Sequence, residues 1–581
     1  MKWWPEISIV VVAFGLYANT LNHDYALDDK AIIVFNDFTQ KGFSGIGDHF
    51  THSYWYGLNK KDAGNYRPIS GVSFSIEKGL FGDSPKAGHF LNVLFYALLC
   101  VVLYRWLLSL EILPKHSLLI AMLIFAAHPI HTEVVANIKS RDEIYCLLFF
   151  GLSLMNYWKW LENEKTLNLI GAGLFYLLSL LSKETAIALI PIFPILAMRK
   201  SNSLITSVKK SIVPTAVVLF YLTLYLSVTD LLQDQEYHVF DNALVQGASG
   251  ASILATKFWI IGEYFKLLIV PHPLVYDYSF NSISLVDFTS IQVIITVIAI
   301  VGLLVWRVLQ FKNNADIENQ ILTLMLGFTI LPLVPVSNFI FIIGSTMAER
   351  FLFIPSLGLC LLSMWFFGKL LDKLTLNKPF IYWGFGLLVV AAFGAKTFDR
   401  NKDWKDDETL FAADIEHLPN NAKAHHNLAN IYRDKAEAAT NQAQKVTYYE
   451  SAARLIEQAL AIYEAQEFQR DLGQIYGELG KWEGVKKALG RYTKLNPNDA
   501  TSWMQLGIAY GITQEMDNAR TCFERAYALN PNDEAICLNL AKTYAIQGDA
   551  KKALEQANKC LRVAPTNQEI IGLIEQLNQS L

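Results

Sequence analysis

Long apolar runs separated by short polar loops dominate the chain up to about residue 395, and the sequence beyond that point is polar. A membrane-spanning helix needs about 20 consecutive, mostly apolar residues. The pattern therefore predicts about eleven spans, near residues 5–20, 89–109, 117–136, 142–158, 166–182, 185–198, 209–229, 289–309, 320–340, 351–370 and 378–395. The first run is expected to be an uncleaved span, because no small-residue cleavage site follows it.

The segment 251–270 is apolar, but Lys257, Glu263 and Lys266 interrupt it. We predict an interfacial or re-entrant helix there. Cationic residues in short loops stay on the cytoplasmic side of a membrane. With the N-terminus in the cytoplasm, alternate loops place such residues on that side, among them Lys115, Lys159, Lys165, Arg199, Lys209 and Arg307. An odd number of spans then places the polar C-terminal part outside the cytoplasm.

The polar part contains a repeat of 34 residues, which is the period of the tetratricopeptide repeat, a pair of antiparallel helices. One copy comprises Trp503, Leu506, Gly507, Tyr510, Ala519, Phe523, Ala526 and Pro531. Others include Leu540, Tyr544 and Pro565, then Leu472, Tyr476 and Pro497, and an earlier copy that begins at Leu428. We predict two domains: a membrane domain at 1–396 with a first outer loop at 21–88, and a superhelix of about four repeats at 397–581.

One position on the first helix of each predicted repeat is always polar. Side chains stacked along a concave face could hydrogen-bond an extended peptide backbone. A solvated helix face is the alternative interpretation. These positions are Asn427, Asp471, Gln505 and Asn539.

The composition agrees with a membrane protein, since 52% of the 581 residues are hydrophobic and 18% are charged, against about 25% charged in soluble domains. A formal net charge of −4 gives no basic excess for binding nucleic acid. The six cysteines lack CxxC or paired Cys/His spacing, which argues against a zinc site. Cys522, Cys537 and Cys560 occupy repeat-core positions, so we expect buried thiols rather than a disulfide.

Charged residues gather at the predicted outer ends of the spans, and polar groups at membrane depth tend to mark function. A transporter usually keeps such residues nearer the bilayer midplane. An enzyme that works at the outer interface is therefore favoured, while ordinary ion pairs at helix ends are the alternative. The residues are Asp28, Asp29, Arg67, His128, His131, Glu133, Arg141, Asp142, Lys183, Glu184, Glu349 and Arg350.

The sequence around these residues resembles a known family, the transmembrane tetratricopeptide-repeat O-mannosyltransferases. The membrane half of that family has the GT-C glycosyltransferase fold. The resemblance covers nearly the whole chain. It rests on Asp28-Asp29, Tyr66-Arg67-Pro68, HPIHTEVV (His128–Val135) with Arg141, SKET (Ser182–Thr185), AERFLFIPS (Ala348–Ser356) and the junction at Asn401–Trp404 and Leu418–Asn430. It implies an all-α protein, with a GT-C-type membrane domain followed by a tetratricopeptide solenoid.

The resemblance also implies a reaction, the inverting transfer of mannose or another hexose from a polyprenyl-phosphate carrier to Ser or Thr hydroxyls of exported proteins. A hydroxyl is a weak nucleophile, so a carboxylate must take its proton; Asp28 is the first candidate and Asp29 the second. Fixed cations would stabilise the departing phosphate. The candidates for that role are Arg350, Arg67, Lys183 and Arg141, and those for binding sugar or acceptor are His131, Glu133, Glu184, Asp142 and Glu349.

No metal is expected, because cations alone can stabilise a monophosphate leaving group, although His128-x-x-His131-x-Glu133 could suggest one. No cofactor is needed beyond the lipid-linked donor, and the expected partners are that donor and a protein acceptor held by the repeats. Transfer to a cell-envelope glycan or lipid, or a non-catalytic scaffold, stay open as alternatives.

The location is expected to be a bacterial inner membrane, with the active site and the repeats in the periplasm. This expectation rests on the single Asn-x-Ser/Thr sequon, at Asn578. In a eukaryotic cell the membrane would be that of the endoplasmic reticulum.

Overall fold

The computed structural model describes residues 3–62, 64–230, 238–247, 249–310, 316–372 and 378–580. Helices are the regular secondary structure of this described part of the chain, which contains no β-strand, so the predicted all-α class is confirmed. The chain divides into two compact units, Met1–Pro419 and Asn420–Leu581. The first unit thus extends past residue 396, where the sequence pattern placed a domain boundary.

The first unit consists of helices of very different lengths, joined by 3₁₀ turns and by irregular segments. Its α-helices are α1 (Trp4–Tyr17), α2 (Asp37–Gln40), α3 (Asp48–Thr51), α4 (Tyr56–Asn59), α5 (Pro68–Phe81), α6 (Pro85–Leu110), α7 (Lys115–Ala127), α8 (Thr132–Ala136), α9 (Arg141–Asn163), α10 (Thr166–Ser182), α11 (Ile192–Ser201), α12 (Leu204–Lys210), α13 (Ile212–Val228), α14 (Gly250–Ile269), α15 (Ile291–Gln310), α16 (Ile317–Ile330), α17 (Phe353–Asp372), α18 (Lys378–Asn401) and α19 (Asp407–His417).

Within the described ranges, five unbroken helical stretches are long and apolar enough to cross a membrane, and the number rises to seven if each of two bent helix pairs crosses as one span. The five are Trp4–Asn22, Pro85–Leu110, Ile291–Gln310, Glu349–Asp372 and Phe380–Lys405. Ten of the eleven predicted spans fall on one helix or on a broken pair of helices, whereas the helices of the predicted span at 320–340 end at Leu333. A membrane protein is therefore supported, while the number of spans and the interfacial placement of α14 stay predictions.

The core of the first unit lies around α7, whose residues from Ser117 to Ala127 are all buried. A helix that is apolar on every side is buried in a protein core or in a membrane, and here α1, α6, α17 and α18 pack around α7. By contrast, α15 buries Val293 and Thr296 and leaves most of its apolar side chains exposed. That is the pattern expected of a helix that faces lipid.

The predicted first outer loop, residues 21–88, folds into a small helical layer of its own. Its apolar core contains Tyr25, Tyr54 and Phe74, and Ile138 from the turn between α8 and α9 packs among them. Asn36 caps α2 by accepting hydrogen bonds from the backbone N–H groups of Phe38 and Thr39. The loop is thus fixed to the turn at residues 137–140, which brings its charged residues to the start of α9.

The second unit is a series of helix pairs. Its helices are α20 (Ala422–Ala438), α21 (Gln442–Ile462), α22 (Gln466–Glu478), α23 (Trp482–Leu495), α24 (Ala500–Ile512), α25 (Met516–Leu529), α26 (Glu534–Ile546), α27 (Ala550–Val563) and α28 (Gln568–Ser580). Small residues let paired helices approach closely: a Cβ at Gly507 of α24 would lie 2.8 Å from the Phe523 ring of α25. The pairing of consecutive helices is the one that the 34-residue repeat predicts.

The cysteines of the second unit differ from the prediction in one respect. Cys537 of α26 and Cys560 of α27 form a disulfide, with their Cα atoms 5.5 Å apart. The expectation of buried thiols was wrong for this pair, because the two repeat-core positions face each other across one helix pair. Cys522 is a buried free thiol, as expected.

Candidate functional site

Four short segments, together with Arg67 before α5 and Glu133 of α8, bring charged side chains together in the first unit. They are the outer-loop turn at residues 24–30, the turn at 137–143 that starts α9, residues 182–184 at the end of α10, and the 3₁₀ turn Glu349–Leu352. Helix α9 begins with Asp142 and Glu143 in its first turn, where the helix dipole favours negative charge. We call the following set the charged cluster: Asp28, Arg67, Glu133, Lys139, Asp142, Glu143, Lys183, Glu184 and Arg350.

Asp28 and Asp29 are neighbours in sequence but differ in environment. Asp29 is fully buried: its Oδ1 accepts a hydrogen bond from the Lys139 N–H at 2.6 Å, and its Oδ2 accepts one from the Ala26 N–H at 3.2 Å. Burial raises the pKa of Asp29 to about 7, although these bonds oppose the shift. The Asp28 side chain is 38% exposed, and its Oδ2 lies 3.6 Å from Lys139 Nζ. Of the two candidate bases, Asp28 is therefore the accessible one.

Arg67 lies at the start of α5, and two carboxylates engage it. Its Nε and Nη2 donate to both oxygens of Glu184, at 2.8 and 2.5 Å, and its Nη1 donates to Asp142 Oδ2 at 2.6 Å. The paired charges of these two carboxylates raise the pKa of the buried Arg67 guanidinium, although desolvation opposes them. This bidentate geometry orders the fork of the guanidinium, so Arg67 joins the outer loop to α9 and to the turn after α10.

Lys183 pairs with the two acids at the start of α9. Its Nζ lies 2.6 Å from Glu143 Oε1 and 3.5 Å from Asp142 Oδ1. All three side chains are buried. Because a buried carboxylate without a partner is costly, these pairs hold α9 and α10 together.

Arg350 is paired with Glu133. Arg350 Nη1 lies 2.5 Å from Glu133 Oε1, and the Arg350 N–H donates to Glu133 Oε2 at 2.8 Å. The Glu133 side chain is buried, whereas that of Arg350 is 23% exposed. Arg350 thus keeps part of its guanidinium accessible while Glu133 fixes its position.

Lys139 is a member of the cluster that sequence reasoning missed. Its side chain is 7% exposed, and its Nζ lies 3.6 Å from Asp28 and 3.9 Å from Asp142. Burial lowers its pKa, and the charges of Arg67 and Arg350 lower it further, while the two carboxylates raise it. Both ion-pair distances are longer than a hydrogen bond between these atoms would be. The sequence feature that could have identified Lys139 is its position directly before Ser140-Arg141-Asp142-Glu143.

Arg141 does not contact the charged cluster. Its side chain is completely buried, and it donates to Asn92 Oδ1 at 2.6 Å, to Glu77 Oε2 at 2.7 Å and to the Gly88 carbonyl at 3.0 Å. The Phe74 ring lies 5.0 Å from its guanidinium carbon. These partners belong to α5 and α6, so Arg141 fastens the outer loop to the bundle.

His131 and Glu349 also have partners outside the cluster. His131 Nδ1 lies 2.8 Å from the Tyr96 hydroxyl and Nε2 lies 2.7 Å from Ser356 Oγ, both in the core. Glu349 accepts hydrogen bonds from the Val275 N–H and, at 3.0 Å, from the Tyr278 hydroxyl. Among the described side chains, no group of three or more His, Cys, Asp or Glu is placed to hold a metal ion.

Comparisons with known proteins match both parts of the chain. The model of the tetratricopeptide repeat matches residues 500–533 and 535–567. The human protein O-mannosyl-transferase TMTC4 is 28% identical over 494 residues, which cover 77% of this chain and 66% of that protein. The human protein O-mannosyl-transferase TMTC2 is 27% identical over 537 residues, covering 77% and 62%. The predicted resemblance is confirmed.

This chain thus spans just under two thirds of the length of these two relatives. Among solved structures, YrrB, described as a TPR protein with an unusual peptide-binding site, is 20% identical and covers 37% of this chain and 98% of its own, with a TM-score of 0.26. At that score the likeness says nothing about function.

The four polar repeat positions lie on the first helices of their pairs, as predicted. Asp471 is buried and accepts hydrogen bonds from His426 Nε2 at 2.8 Å and from Arg470 Nε at 3.1 Å. Asn427, Gln505 and Asn539 are half-buried, and no hydrogen bond within the described chain reaches the buried Gln505 Oε1. Their role in binding a peptide stays a prediction.

The charged cluster combines the exposed Asp28 carboxylate with cations that are paired to acids, of which Glu133, Asp142 and Glu143 are buried and Glu184 is 30% exposed. The carboxylates of Asp142, Glu143 and Glu184 orient Arg67 and Lys183, and Glu133 orients Arg350. Asp28 is exposed to a ligand, and the buried Lys139 lies directly behind it, 3.6 Å from its Oδ2. Chemically, such a site can remove a proton from a hydroxyl and bind an anion beside it.

Proposed function

We propose that the first unit transfers a hexose, such as mannose, from a polyprenyl-phosphate carrier to Ser or Thr hydroxyls of proteins. The observation that carries the proposal is the accessible Asp28 carboxylate, 3.6 Å from Lys139 Nζ, at the edge of a cluster of buried ion pairs. The names of the relatives supply the reaction class, since both are called protein O-mannosyl-transferases.

In this reaction Asp28 takes the proton of the acceptor hydroxyl as its oxygen attacks the anomeric carbon. The new C–O bond forms as the bond from that carbon to the phosphate oxygen breaks, and the electron pair of the broken bond stays on the lipid phosphate. A single displacement inverts the anomeric carbon. The products are the O-glycosylated protein and the polyprenyl phosphate.

Lys139 and Arg350 are the cations best placed to stabilise the leaving phosphate. Lys139 lies beside Asp28 and is held at ion-pair distances longer than a hydrogen bond, and the Arg350 side chain is partly exposed. Fixed charges that meet a developing negative charge in a water-poor site need little reorganisation. Arg67 and Lys183 are paired with Asp142, Glu143 and Glu184, so they would act mainly by holding the outer loop, α9 and the turn after α10 together.

The second unit would hold the acceptor protein through Asn427, Asp471, Gln505 and Asn539 and raise its effective concentration. The Cys537–Cys560 disulfide supports an oxidising, extracytoplasmic location for this unit. In a bacterium that compartment is the periplasm. Gln505→Ala with Asn539→Ala is expected to raise the KM for a long unfolded protein acceptor several-fold and to leave the KM for a short Ser/Thr peptide unchanged.

The test of the reaction uses the full chain in lipid nanodiscs, with radiolabelled mannosyl polyprenyl phosphate and a Ser/Thr-rich peptide. A general base contributes a factor of about 10²–10⁴, so Asp28→Asn should lower kcat by at least about 100-fold. The matched control is Asp37→Asn, because Asp37 is an exposed carboxylate of the same loop and pairs with Lys60 at the surface.

Three results would contradict the proposal. An Asp28→Asn variant that keeps its kcat would remove Asp28 from the role of base. A wild-type protein that labels a glycan or lipid but no peptide or protein would favour the other acceptor class. Binding of acceptor without any transfer of label would favour the scaffold.

A further inference from the structure

A helix that follows the last long apolar helix of the first unit is hydrogen-bonded to the turn that carries Asp28. Asp407, the first residue of α19, accepts the Leu27 N–H on Oδ1 at 2.6 Å and Lys30 Nζ on Oδ2 at 2.5 Å. Two residues before Asp407, the Lys405 carbonyl accepts the Asp24 N–H at 2.9 Å. A single carboxylate therefore bridges two residues that flank Asp28.

Leu27 has an unusual backbone conformation, with φ of 55°. A side chain with a Cβ disfavours this left-handed region, and a leucine keeps it only where its surroundings impose it. The Leu27 N–H bond to Asp407 is such a restraint, and the Ala26 N–H bond to Asp29 is a second one on the opposite side. Because Asp28 directly follows Leu27, this backbone angle determines where the Asp28 carboxylate points.

Asp407 is itself rigidly held. Asp406 caps α19 by accepting the Thr409 N–H at 2.9 Å, and Thr409 Oγ1 accepts the Asp406 N–H at 3.2 Å, which completes a capping box. At the other end of the helix, Asp414 accepts the Tyr276 N–H at 3.1 Å. The Asp407 side chain is 11% exposed. Helix α19 can therefore transmit a fixed position to the turn.

We propose that Asp407 is a positioning residue for Asp28, which it serves by holding Leu27 in the left-handed conformation so that the Asp28 carboxylate faces Lys139. The inference rests on the proposed function. It makes α19, which lies between the long apolar helices and the repeats in sequence, a working part of the transferase. Asp407 itself touches neither donor nor acceptor.

The kinetic test measures Asp407→Ala in the full chain. A displacement of about 1 Å in a reacting group can cost about 100-fold in rate, so kcat should fall by about 10- to 100-fold. The KM for the mannosyl polyprenyl phosphate should change by less than about two-fold, because the phosphate-binding cations keep their partners. The matched control is Asp533→Ala, which removes an aspartate from the start of α26, where it caps the Ile536 N–H at 3.0 Å.

A double-mutant cycle with Leu27→Gly separates positioning from general support of the fold. Glycine adopts positive φ without steric cost, so the kcat loss caused by Asp407→Ala should be several-fold smaller when residue 27 is glycine. A loss of the same size in both backgrounds would overturn the proposal. If Asp407→Ala does not fold, Asp407→Leu, which has a similar side-chain size and no acceptor for the Leu27 N–H, is used in the same cycle, and the same outcome overturns the proposal.

Hydrogen exchange of single amides gives a readout that does not depend on catalysis. In Asp407→Ala the Leu27 amide should exchange at least about 10-fold faster, while the Ala26 amide, held by Asp29, should change little. Unchanged exchange at Leu27 would refute the positioning role. If the wild-type protein transfers no sugar but the Leu27 amide exchanges faster in Asp407→Ala, the proposed function fails, while the restraint of the turn by Asp407 stands.

Discussion

Replacement of Arg141 by methionine tests whether this arginine belongs to the reaction or to the fold. Sequence reasoning placed Arg141 among the phosphate-binding candidates, but the structure surrounds it with Asn92, Glu77 and the Gly88 carbonyl. Methionine fills a similar volume and removes the charge. The Glu77 carboxylate would then be left buried without its partner at 2.7 Å.

The expected cost follows from that unpaired charge. Removal of one partner from a buried ion pair costs about 3–5 kcal/mol. Unfolding entropy is about 2.1 cal/mol/K per residue, which gives about 0.9 kcal/mol/K for the 419 residues of the first unit. Arg141→Met should therefore lower the Tm of that unit by about 3–6 °C.

The assay is thermal unfolding of the purified full chain in detergent, followed by intrinsic fluorescence. Arg141→Met with Glu77→Gln should recover part of the loss, because the double variant leaves no buried charge unpaired. The control is Lys41→Met, which breaks a surface pair with Asp48 in the same loop and should shift Tm by less than about 1 °C. An Arg141→Met protein with wild-type Tm and a strongly raised KM for the donor would refute this reasoning and return Arg141 to the phosphate site.

Two further predictions concern a pH dependence and Lys139. Burial raises the pKa of Asp414 to about 8, so the folded chain binds a proton that the unfolded chain has already released; stability should fall as pH rises from 6.5 to 8, by up to about 1.4 kcal/mol per pH unit for that proton. Asp414→Asn should flatten this slope in the same melting assay, and an unchanged slope would contradict the assignment. Lys139→Gln should lower kcat/KM for the donor by about 10- to 100-fold, the value of a charge-assisted hydrogen bond, whereas Lys210→Gln should not; a Lys139→Gln effect below about two-fold would exclude Lys139 from the phosphate site.

Apolar runs predict where the long helices lie, because burial in lipid or in a tight bundle requires an apolar surface. The run at 89–109 lies within helix Pro85–Leu110, and the run at 289–309 corresponds to helix Ile291–Gln310. The run at 117–136 is instead broken by a bend of 48° between Lys115–Ala127 and Pro129–Ala136. Proline lacks the N–H that would continue the helix, so Pro129 turns the chain and brings Glu133 towards Arg350.

The partners of the charged residues could not be predicted in the same way. Arg141 and Asp142 are adjacent at the start of α9, but successive residues on a helix point about 100° apart. Arg141 therefore meets Glu77 of the outer loop, whereas Asp142 meets Arg67 and Lys183. Hydropathy places both residues at the outer end of a span and says nothing about these directions, which depend on how α5, α6 and α10 pack around α9.

Three aspartates show why position in the sequence does not determine role. A base must receive a proton from the acceptor and return it to water, so its carboxylate has to be accessible. Near Asp28, Asp29 accepts a hydrogen bond from the Ala26 N–H, and Asp407 accepts one from the Leu27 N–H. Those bonds remove conformational freedom from the turn, which lowers the entropy lost when acceptor and base come together. In the proposed reaction the exposed Asp28 does the chemistry, and the two buried acids make its position reproducible.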